Sequence, residues 1–470
     1  MEATIAMNDM SPLPRDISHE FAAFAANTRF ENLPEGAVEA AKKSLLDTLG
    51  VMLAASGMEP AIQPILGLVR ENGGTPEATV LSFGDRLPAG ATAFVNGAMA
   101  HGLDFDSQTP WGAHCDSSII PAVLAVAQKR GHVSGQDMIT AIAVGQELFI
   151  RLRCNVGWHM DWNLSTAIGC FSATAAAGRV MGLNPRQMAH ALGIASMQSS
   201  GTMEQIFGTG SDLRGMYAGF TAQGCVNAVL LAQRGMTGIN RLFEGEAGLF
   251  QVYFNGEFDR SKMLDGLGSE YLSAGMLYKY WPAVGNAHTY IHAAIELMRE
   301  NEIALDEIAE VKVFVGDFQQ RMCTPLDQRQ VPGTLVDAKF SLPFLVALSL
   351  AKGGMEISDF SGAALTDAAV LALAKKVVPV PDPSFNWTAK LPDGKIEVSM
   401  RDGRRIERLG ADVPGAATKP LSWDQLEEKF AACARAASKP VTAANIETVQ
   451  RTVRSLEDCA DIGAVITALS

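Results

Sequence analysis

The feature that most constrains the fold is a run of helix-forming segments that fills the first half of the chain. Apolar residues recur at spacings of three and four over residues 37–55, and this periodicity predicts an amphipathic helix. The same pattern continues over residues 119–130, 135–152, 164–181, 185–197 and 216–235. Asn184-Pro185 pairs a good N-cap with a good first-turn residue. These segments predict a large helical domain.

The pattern changes after residue 273. Alternating apolar and polar residues over 310–315, 395–400 and 405–409 predict strands, with helical runs at 344–352 and 363–377. Asp402-Gly403 predicts a hairpin turn between the last two strands. From Ser422, a suitable N-cap, the helical pattern returns.

We therefore predict a mainly α fold with two domains. A large all-helical domain is expected to comprise residues 1–273 and 420–470, and an inserted smaller α+β lid domain to comprise residues 274–419. The expected site is the cleft between them.

Composition excludes several classes of protein. The formal net charge of −13 argues against nonspecific nucleic-acid binding, because phosphate contacts need a basic face. No uninterrupted apolar segment of about 18 residues occurs, so no transmembrane helix or membrane partner is expected. Residues 1–15 lack the pattern of a secretion signal. The seven cysteines are scattered and none forms a C-x-x-C pair, which favours the reducing cytoplasm.

The segment from residue 101 to residue 116 has an unusual density of titratable groups. It contains His101, Asp104, Asp106, His114 and Asp116 between two apolar segments. Burying such groups is costly unless each has a partner or a function. The residues alone leave three interpretations open: a proton-transfer site, a metal site, or a polar loop whose groups satisfy one another. The spacing matches no compact ligand motif such as H-E-x-x-H.

Three further groups could carry chemistry. His159 and Asp161 precede a predicted helix, where free backbone N–H groups could bind an anion; a structural role at the core edge is the alternative. Arg214 follows a Gly-rich segment without the Gly-Lys-Ser/Thr of a nucleotide loop, and could clamp a carboxylate. Lys279 lies beside aromatic residues at the predicted domain junction.

Together these groups suit one kind of reaction. Removing a proton next to a carboxylate builds negative charge that Arg214 and Lys279 could stabilise. A histidine has the right pKa range for a general acid or base. The combination predicts an anionic substrate whose reaction moves protons.

Five motifs, taken in order, resemble the MmgE/PrpD family over nearly the whole chain. They are Asn96-Gly-Ala-Met-Ala-His101-Gly-Leu-Asp104-Phe-Asp106, Gly157-Trp-His159, Tyr217-Ala-Gly-Phe-Thr-Ala, Lys279-x-x-Pro282 with His288, and Asp337-Ala-Lys339-Phe-Ser-Leu-Pro343-Phe. The resemblance implies a helical domain with a smaller lid domain, a homodimer, a site in the cleft, and no metal or organic cofactor.

The resemblance also implies roles for individual residues. The predicted catalytic residues are Asp104, His114, His159 and Lys279. The predicted substrate-binding residues are Arg214, Asp161, Tyr217 and His288. His101, Asp106 and Asp116 are left as supports.

The sequence departs from the family pattern in three places. Arg214 stands where relatives commonly carry lysine, which changes the geometry of the positive charge. Val284 replaces a histidine of animal cis-aconitate decarboxylase, often a cysteine elsewhere. Met160-Asp161 replaces a proline and a small hydroxyl residue. These departures weaken the match to the decarboxylase.

The predicted function is a cofactor-independent lyase acting on a small di- or tricarboxylate, most simply a hydro-lyase like 2-methylcitrate dehydratase. An epimerase or isomerase of a dicarboxylate such as iminodisuccinate is the second hypothesis, and decarboxylation ranks third because of Val284. A non-catalytic carboxylate-binding protein and a metal-dependent hydrolase are the alternatives from other classes.

Overall fold

A computed structural model describes residues 15–388 and 391–470. The first 14 residues of the predicted helical domain and residues 389–390 of the predicted lid domain lie outside the described residues. The fold is mainly α, with a smaller α+β part.

The first part of the chain is built almost entirely of helices. Its helices are α1 Ile17–Asn27, α2 Glu35–Met58, α3 Ile62–Asn72, α4 Ala89–His101, α5 Asp116–Arg130, α6 Gly135–Cys154, α7 Leu164–Ala167, α8 Gly169–Val180, α9 Pro185–Ala195, α10 Glu204–Phe207, α11 Leu213–Gln233, α12 Leu249–Phe254 and α13 Arg260–Leu264. Two short strands, β1 Ala78–Thr79 and β2 Arg86–Leu87, form an antiparallel pair within it, which the expectation of an all-helical domain did not include.

The second part mixes helices and strands. Its helices are α14 His288–Glu300, α15 Asp317–Arg321, α16 Leu326–Gln330, α17 Leu335–Lys339, α18 Leu342–Lys352 and α19 Ala368–Ala374, and its strands are β3 Ile308–Val315, β4 Val377–Pro381, β5 Gly394–Met400 and β6 Arg405–Gly410. The sheet has the order β4-β3-β5-β6, with β3 parallel to β4 and antiparallel to β5. Three helices complete the chain: α20 Trp423–Arg435, α21 Ala443–Arg454 and α22 Gly463–Ala468.

Two apolar cores organise these elements. The first unites buried side chains from residues 17–278 with others from residues 421–469. The second is built from residues 281–413 together with Met203. The predicted domain boundaries at 273/274 and 419/420 stay predictions, because membership of a core does not show where a domain ends.

Helices α4 and α11 approach closely at two glycines. A Cβ atom on Gly219 would lie 2.4 Å from the Phe94 carbonyl oxygen, and one on Gly97 would lie 2.8 Å from the Gly219 Cα. Only glycine allows backbones to come so near. This crossing brings the last residue of α4, His101, close to the first turns of α11, which carry Arg214 and Tyr217.

Local sequence signals explain most element ends. Asn184 and Ser422 are N-caps, each in a capping box with the glutamine three residues later. The predicted helix over 164–181 is interrupted at Ile168, between α7 and α8. The predicted helix over 363–377 is wrong at its end, because the chain enters the edge strand β4 at Val377. Prolines at 379 and 381 are tolerated there, since an edge strand has one unpaired side.

Among the described residues, no single helix is both long and apolar enough to cross a membrane. Only α2 and α3, which meet at a bend of 93°, satisfy those criteria when they are taken together.

Candidate active site

The loop between α4 and α5 carries the cluster of acids and histidines. It starts after His101 and ends before Asp116, the first residue of α5. Asp104 adopts a left-handed conformation with φ of 49°, and its N–H donates to the His101 carbonyl at 2.8 Å. This turn folds the loop inward, so that Asp104 and Asp106 are both buried.

Asp106 anchors two imidazoles. The Nδ1 of His101 lies 2.9 Å from Asp106 Oδ1, and the Nδ1 of His114 lies 3.2 Å from Asp106 Oδ2. Burial alone would raise the pKa of Asp106, but attraction to both histidines outweighs it and holds the pKa well below its usual value. Asp106 therefore stays ionised and orients both rings.

The hydrogen bonds of His114 define which of its nitrogens is available. Its Nδ1–H donates to the Ser107 carbonyl oxygen at 2.7 Å, and a carbonyl can only accept. The neutral ring consequently carries its lone pair on Nε2. That nitrogen lies 3.8 Å from Asp104 Oδ1. In this tautomer Nε2 is the His114 nitrogen that can accept a proton.

Asp104 is the second carboxylate of the cluster. The Lys279 ammonium donates to Asp104 Oδ1 and to the Asp104 carbonyl oxygen, both at 2.8 Å, and both side chains are buried. The Nε2 of His101 lies 3.9 Å from the same Oδ1. Asp104 Oδ2 is buried and accepts no hydrogen bond from residues 15–388 or 391–470. One oxygen of this carboxylate is therefore occupied, and the other is available to a donor.

These groups face a small cavity of about 90 Å³ between the two cores. A single water needs roughly 10–15 Å³ by this measure, so the cavity can hold a small molecule. Its polar lining includes His101, Asp104, Gln108, His114, Arg153, Asn163, Ser165, Tyr217 and Asn286. Its apolar lining includes Trp158, Met203, Ile206, Val284, Phe318, Phe340 and Trp387.

Several predicted site residues meet here. Asp104, His114 and Tyr217 line the cavity, and Lys279 holds Asp104. The Tyr217 ring packs against the His101 ring with 4.4 Å between centroids, and burial raises the Tyr217 pKa well above its usual value. Tyr217 therefore remains a neutral hydroxyl.

Arg214 lies one side chain away from the cavity. It is buried, and its guanidinium stacks on Phe340, which lines the cavity. Its Nε and Nη1 have no hydrogen-bond partner in the described part of the chain. Burial, and then repulsion from Arg329, lowers its pKa well below the usual arginine value.

His159 and Asp161 are not brought to this cavity. His159 is 57% exposed, and its Nε2 lies 2.9 Å from Glu257 Oε2. The physical reason is local, because successive side chains of an extended segment point in opposite directions. Trp158 turns into the cavity, where its indole N–H donates to the Trp162 carbonyl at 2.8 Å, so His159 turns outward. Asp161 Oδ1 accepts the Trp162 N–H.

His288 lies behind Lys279, in the wall of a second cavity of about 300 Å³. Its Nε2–H donates to the Ala283 carbonyl at 3.2 Å, and its ring meets Trp281 edge to face. Burial and then repulsion from Lys279 lower its pKa to about 3, so it is neutral. The structure therefore separates His288 from the His114 cavity.

Sequence reasoning did not place His101 or Arg153 in the cavity wall. His101 and Asp106 were both predicted to be supports; Asp106 orients both imidazoles, as a support would, whereas His101 lines the cavity. Their position in the dense segment was the available signal. Arg153 also lines the cavity, but it falls one residue beyond a predicted helix end and no sequence pattern marks it.

The same four acids and histidines could approach a cation. One ligand atom from each of His101, Asp104, Asp106 and His114 lies within 4.8 Å of the others. However, the Lys279 ammonium already binds Asp104, and a metal ion would have to be buried beside that charge. The Nδ1 protons of both histidines also point at oxygen acceptors. This donor set is better matched to proton transfer.

The chain is similar to known proteins over most of its length. Residues 19–261 match the family model of the MmgE/PrpD N-terminal domain, and residues 281–455 match that of the MmgE/PrpD C-terminal domain. The chain is 25% identical to the cis-aconitate decarboxylase-like protein oryM of Aspergillus oryzae, over 97% of both chains. It is also 25% identical to the cis-aconitate decarboxylase of Homo sapiens, over 97% of this chain and 95% of that one. The cis-aconitate decarboxylase of Aspergillus terreus is 24% identical to this chain, over 97% of this chain and 96% of that one.

Both family models match in the expected order, and together they cover most of the chain. The protein is therefore an enzyme of the lyase type and belongs to the MmgE/PrpD family.

Proposed function

We propose that this enzyme removes water from a small di- or tricarboxylate that carries a hydroxyl group, as a hydro-lyase like 2-methylcitrate dehydratase and without a cofactor. The observation that carries the proposal is the unpartnered Asp104 Oδ2 beside two anchored imidazoles. A buried acceptor calls for a donor, and a substrate hydroxyl supplies one.

Dehydration needs a base for the carbon-bound proton and an acid for the departing oxygen. His114 takes the proton next to the substrate carboxylate through Nε2, since its Nδ1–H is committed to Ser107. For the acid step His101 starts as an imidazolium, with its Nδ1–H donated to Asp106 and its second proton on Nε2. The hydroxyl donates to Asp104 Oδ2 and takes the Nε2 proton as the carbon–oxygen bond breaks, so that water leaves, His101 becomes neutral and His114 carries the proton taken from carbon. Asp106 stabilises whichever imidazole is charged.

Cations stabilise the negative charge that develops on the substrate carboxylate. The Lys279 ammonium lies beside Asp104, and Arg214, behind Phe340, offers two donors that have no protein partner in the described residues. Tyr217 contributes a neutral hydroxyl near His101. Roles for His159, Asp161 and His288 stay predictions, because each is occupied elsewhere in this conformation.

Decarboxylation is the second candidate function. The relatives from Aspergillus oryzae, Homo sapiens and Aspergillus terreus carry cis-aconitate decarboxylase names. An apolar wall that includes Val284 and Phe318 would also strip water from a departing carboxylate. In that reaction His114 would act as an acid and protonate the carbanion.

One experiment separates these reactions. The purified enzyme is incubated in D2O with a panel of hydroxylated and unsaturated di- and tricarboxylates, and NMR follows the products. We expect an alkene from a hydroxy acid; release of carbon dioxide would instead identify a decarboxylase. Deuterium uptake without net conversion would identify an epimerase, and loss of activity with a strong chelator would indicate a metal-dependent enzyme.

We also propose a cytoplasmic homodimer. The outer face of α11 leaves Leu213, Phe220 and Leu231 exposed by 43%, 50% and 41%, and such apolar faces favour association. Light scattering during size-exclusion chromatography should give twice the chain mass, and Phe220→Glu should shift it toward the monomer.

A further inference from the structure

Arg153 is a buried cation with no counter-charge among residues 15–388 and 391–470. It lies in the last turn of α6, is only 5% exposed, and lines the cavity that contains His114. Its Nε has no hydrogen-bond partner, and no carboxylate of the described residues forms an ion pair with it. Its guanidinium lies 4.9 Å from the centre of the Trp158 ring. Burial lowers its pKa to about 10, so it is still charged at neutral pH.

The same helix shows how this fold satisfies a buried arginine that has a structural role. Arg151 is 2% exposed, and its Nε donates to Glu147 Oε1 at 2.7 Å. Its remaining nitrogens donate to the backbone carbonyls of Met263, Asp265 and Glu270. Arg153, two positions later, has none of these partners. Its charge is therefore unaccounted for by the fold.

A second unpartnered donor lines the same cavity. Asn163 Oδ1 accepts the Ser165 N–H at 3.0 Å, which holds the amide in one orientation. Its Nδ2 is buried and has no hydrogen-bond partner in the described part of the chain. Two buried donors without acceptors in one cavity call for a ligand with paired acceptor oxygens.

The surroundings of Arg153 restrict what can carry those oxygens. The rings of Trp158 and Trp387 meet edge to face with 6.0 Å between their centroids, and the centroid of the Phe318 ring lies 6.0 Å from that of Trp387. These aromatic faces offer contact to apolar carbon but no acceptor for a hydroxyl.

We propose that Arg153, with Asn163, binds a second carboxylate of the substrate, remote from the reacting carbon and carried on an apolar stem. The inference rests on the proposed function in that the substrate is a polycarboxylate. It makes Arg153 a specificity-determining residue, because a monocarboxylate would leave the guanidinium buried and unpaired.

Binding of an unreactive ligand tests the inference without requiring turnover. The probe is propane-1,2,3-tricarboxylate, which has neither a hydroxyl group nor a double bond, compared with its monomethyl ester by calorimetry. We expect Arg153→Met to weaken tricarboxylate binding about 10- to 100-fold, the usual value of a hydrogen bond to a charged group. Arg153→Lys should recover part of the loss. The exposed Arg435→Met, which removes the same charge far from the cavity, should bind like the wild type.

The ester provides the decisive comparison. Blocking a carboxylate as the ester should weaken binding to the wild type. It should change the affinity of Arg153→Met little, because this variant lacks the guanidinium that binds the carboxylate. Binding to Arg153→Met within threefold of the wild type would overturn the inference, as would a wild type that binds no polycarboxylate at millimolar concentration. If Arg153→Met does not fold, the same comparison of the tricarboxylate with its ester is made on Arg153→Lys, in which esterification should weaken binding less than in the wild type.

The outcomes also separate the two proposals. Arginine-dependent binding without dehydration would leave this inference standing and reject the hydro-lyase. Dehydration with an unchanged KM in Arg153→Met would support the hydro-lyase and reject the role of Arg153. Where substrate turns over, the inference expects KM to rise while kcat changes little.

Discussion

The two charged walls of the cavity differ in how their charges are balanced. On the wall formed by the loop between α4 and α5, Asp104 binds Lys279 and Asp106 binds two imidazoles. Elsewhere in the lining, Arg153 is buried against the Trp158 ring with no carboxylate beside it among the described residues. In this balanced wall the charges compensate one another without a ligand, as a preorganised proton-transfer site needs, while Asp104 Oδ2 still lacks a donor among the described residues. The unbalanced wall is completed only by an anion.

The largest effect should follow from breaking the balanced wall at its centre. Asp104→Asn leaves the buried Lys279 ammonium unpaired, and removing one partner of a buried pair costs about 3–5 kcal/mol of unfolding free energy. Turnover should fall by roughly a thousandfold, because the proposed mechanism places the leaving hydroxyl on Asp104. Denaturant unfolding and NMR turnover measure the two effects.

The matched control removes both partners. Asp104→Asn combined with Lys279→Met should recover most of the stability but none of the turnover, since the uncompensated charge is gone. A double variant as unstable as Asp104→Asn would show that the pair is not what stabilises this wall.

Variants of the two arginines of α6 test the unbalanced wall through their unfolding free energies, without a measurement of activity. Arg151→Met breaks an ion pair with Glu147 and should lower the unfolding free energy by about 3–5 kcal/mol. Arg153→Met breaks no ion pair among the described residues. It should therefore lower the unfolding free energy by less than about 1 kcal/mol, or raise it. Equal losses in the two variants would contradict the contrast between the walls.

Two histidines test which side chain moves the proton. His114→Gln should lower turnover by about 100-fold or more with little change in KM, because its Nε2 faces Asp104. His159→Gln should lower turnover by less than about tenfold, because His159 faces Glu257 at the surface. A large loss only in the second variant would return the proton shuttle to His159, and would mean that the Trp158 segment moves during turnover.

The smallest effect at neutral pH concerns His288, behind Lys279, because the contribution of this site appears only as the pH falls. Its pKa is 6.5 in the reference state and about 3 in the fold, so the unfolded chain binds the extra proton first as the pH falls. The stability from this site is present above pH 6.5 and is lost toward pH 3, with a slope of at most about 1.4 kcal/mol per pH unit.

Unfolding of the wild type and of His288→Gln across this pH range measures the effect. The difference in unfolding free energy between the two should shrink as the pH falls. A difference that does not depend on pH would show that the His288 ring binds its proton as readily in the folded enzyme as in the unfolded chain.

Much of the fold could be predicted from local patterns. Helix periodicity located α2, α5 and α6, and capping residues such as Asn184 and Ser422 marked where helices begin. The Asp402-Gly403 turn between β5 and β6 was equally clear. These features depend on contacts within a few residues, which a single sequence displays directly. The strand β4 was missed, because its pairing with the distant β3 decides its conformation.

The sequence by itself determined the family, the mainly α fold and the segment that holds the acids and histidines. Only the tertiary structure decided which side chains face one another: Lys279 meets Asp104 across 175 positions, while His159 turns outward beside an inward Trp158. The physical reason is that a motif specifies chemical groups along the chain, whereas compensation of buried charge depends on distances across it. For that reason Arg153, which no motif marks, became visible only as a charge without a partner.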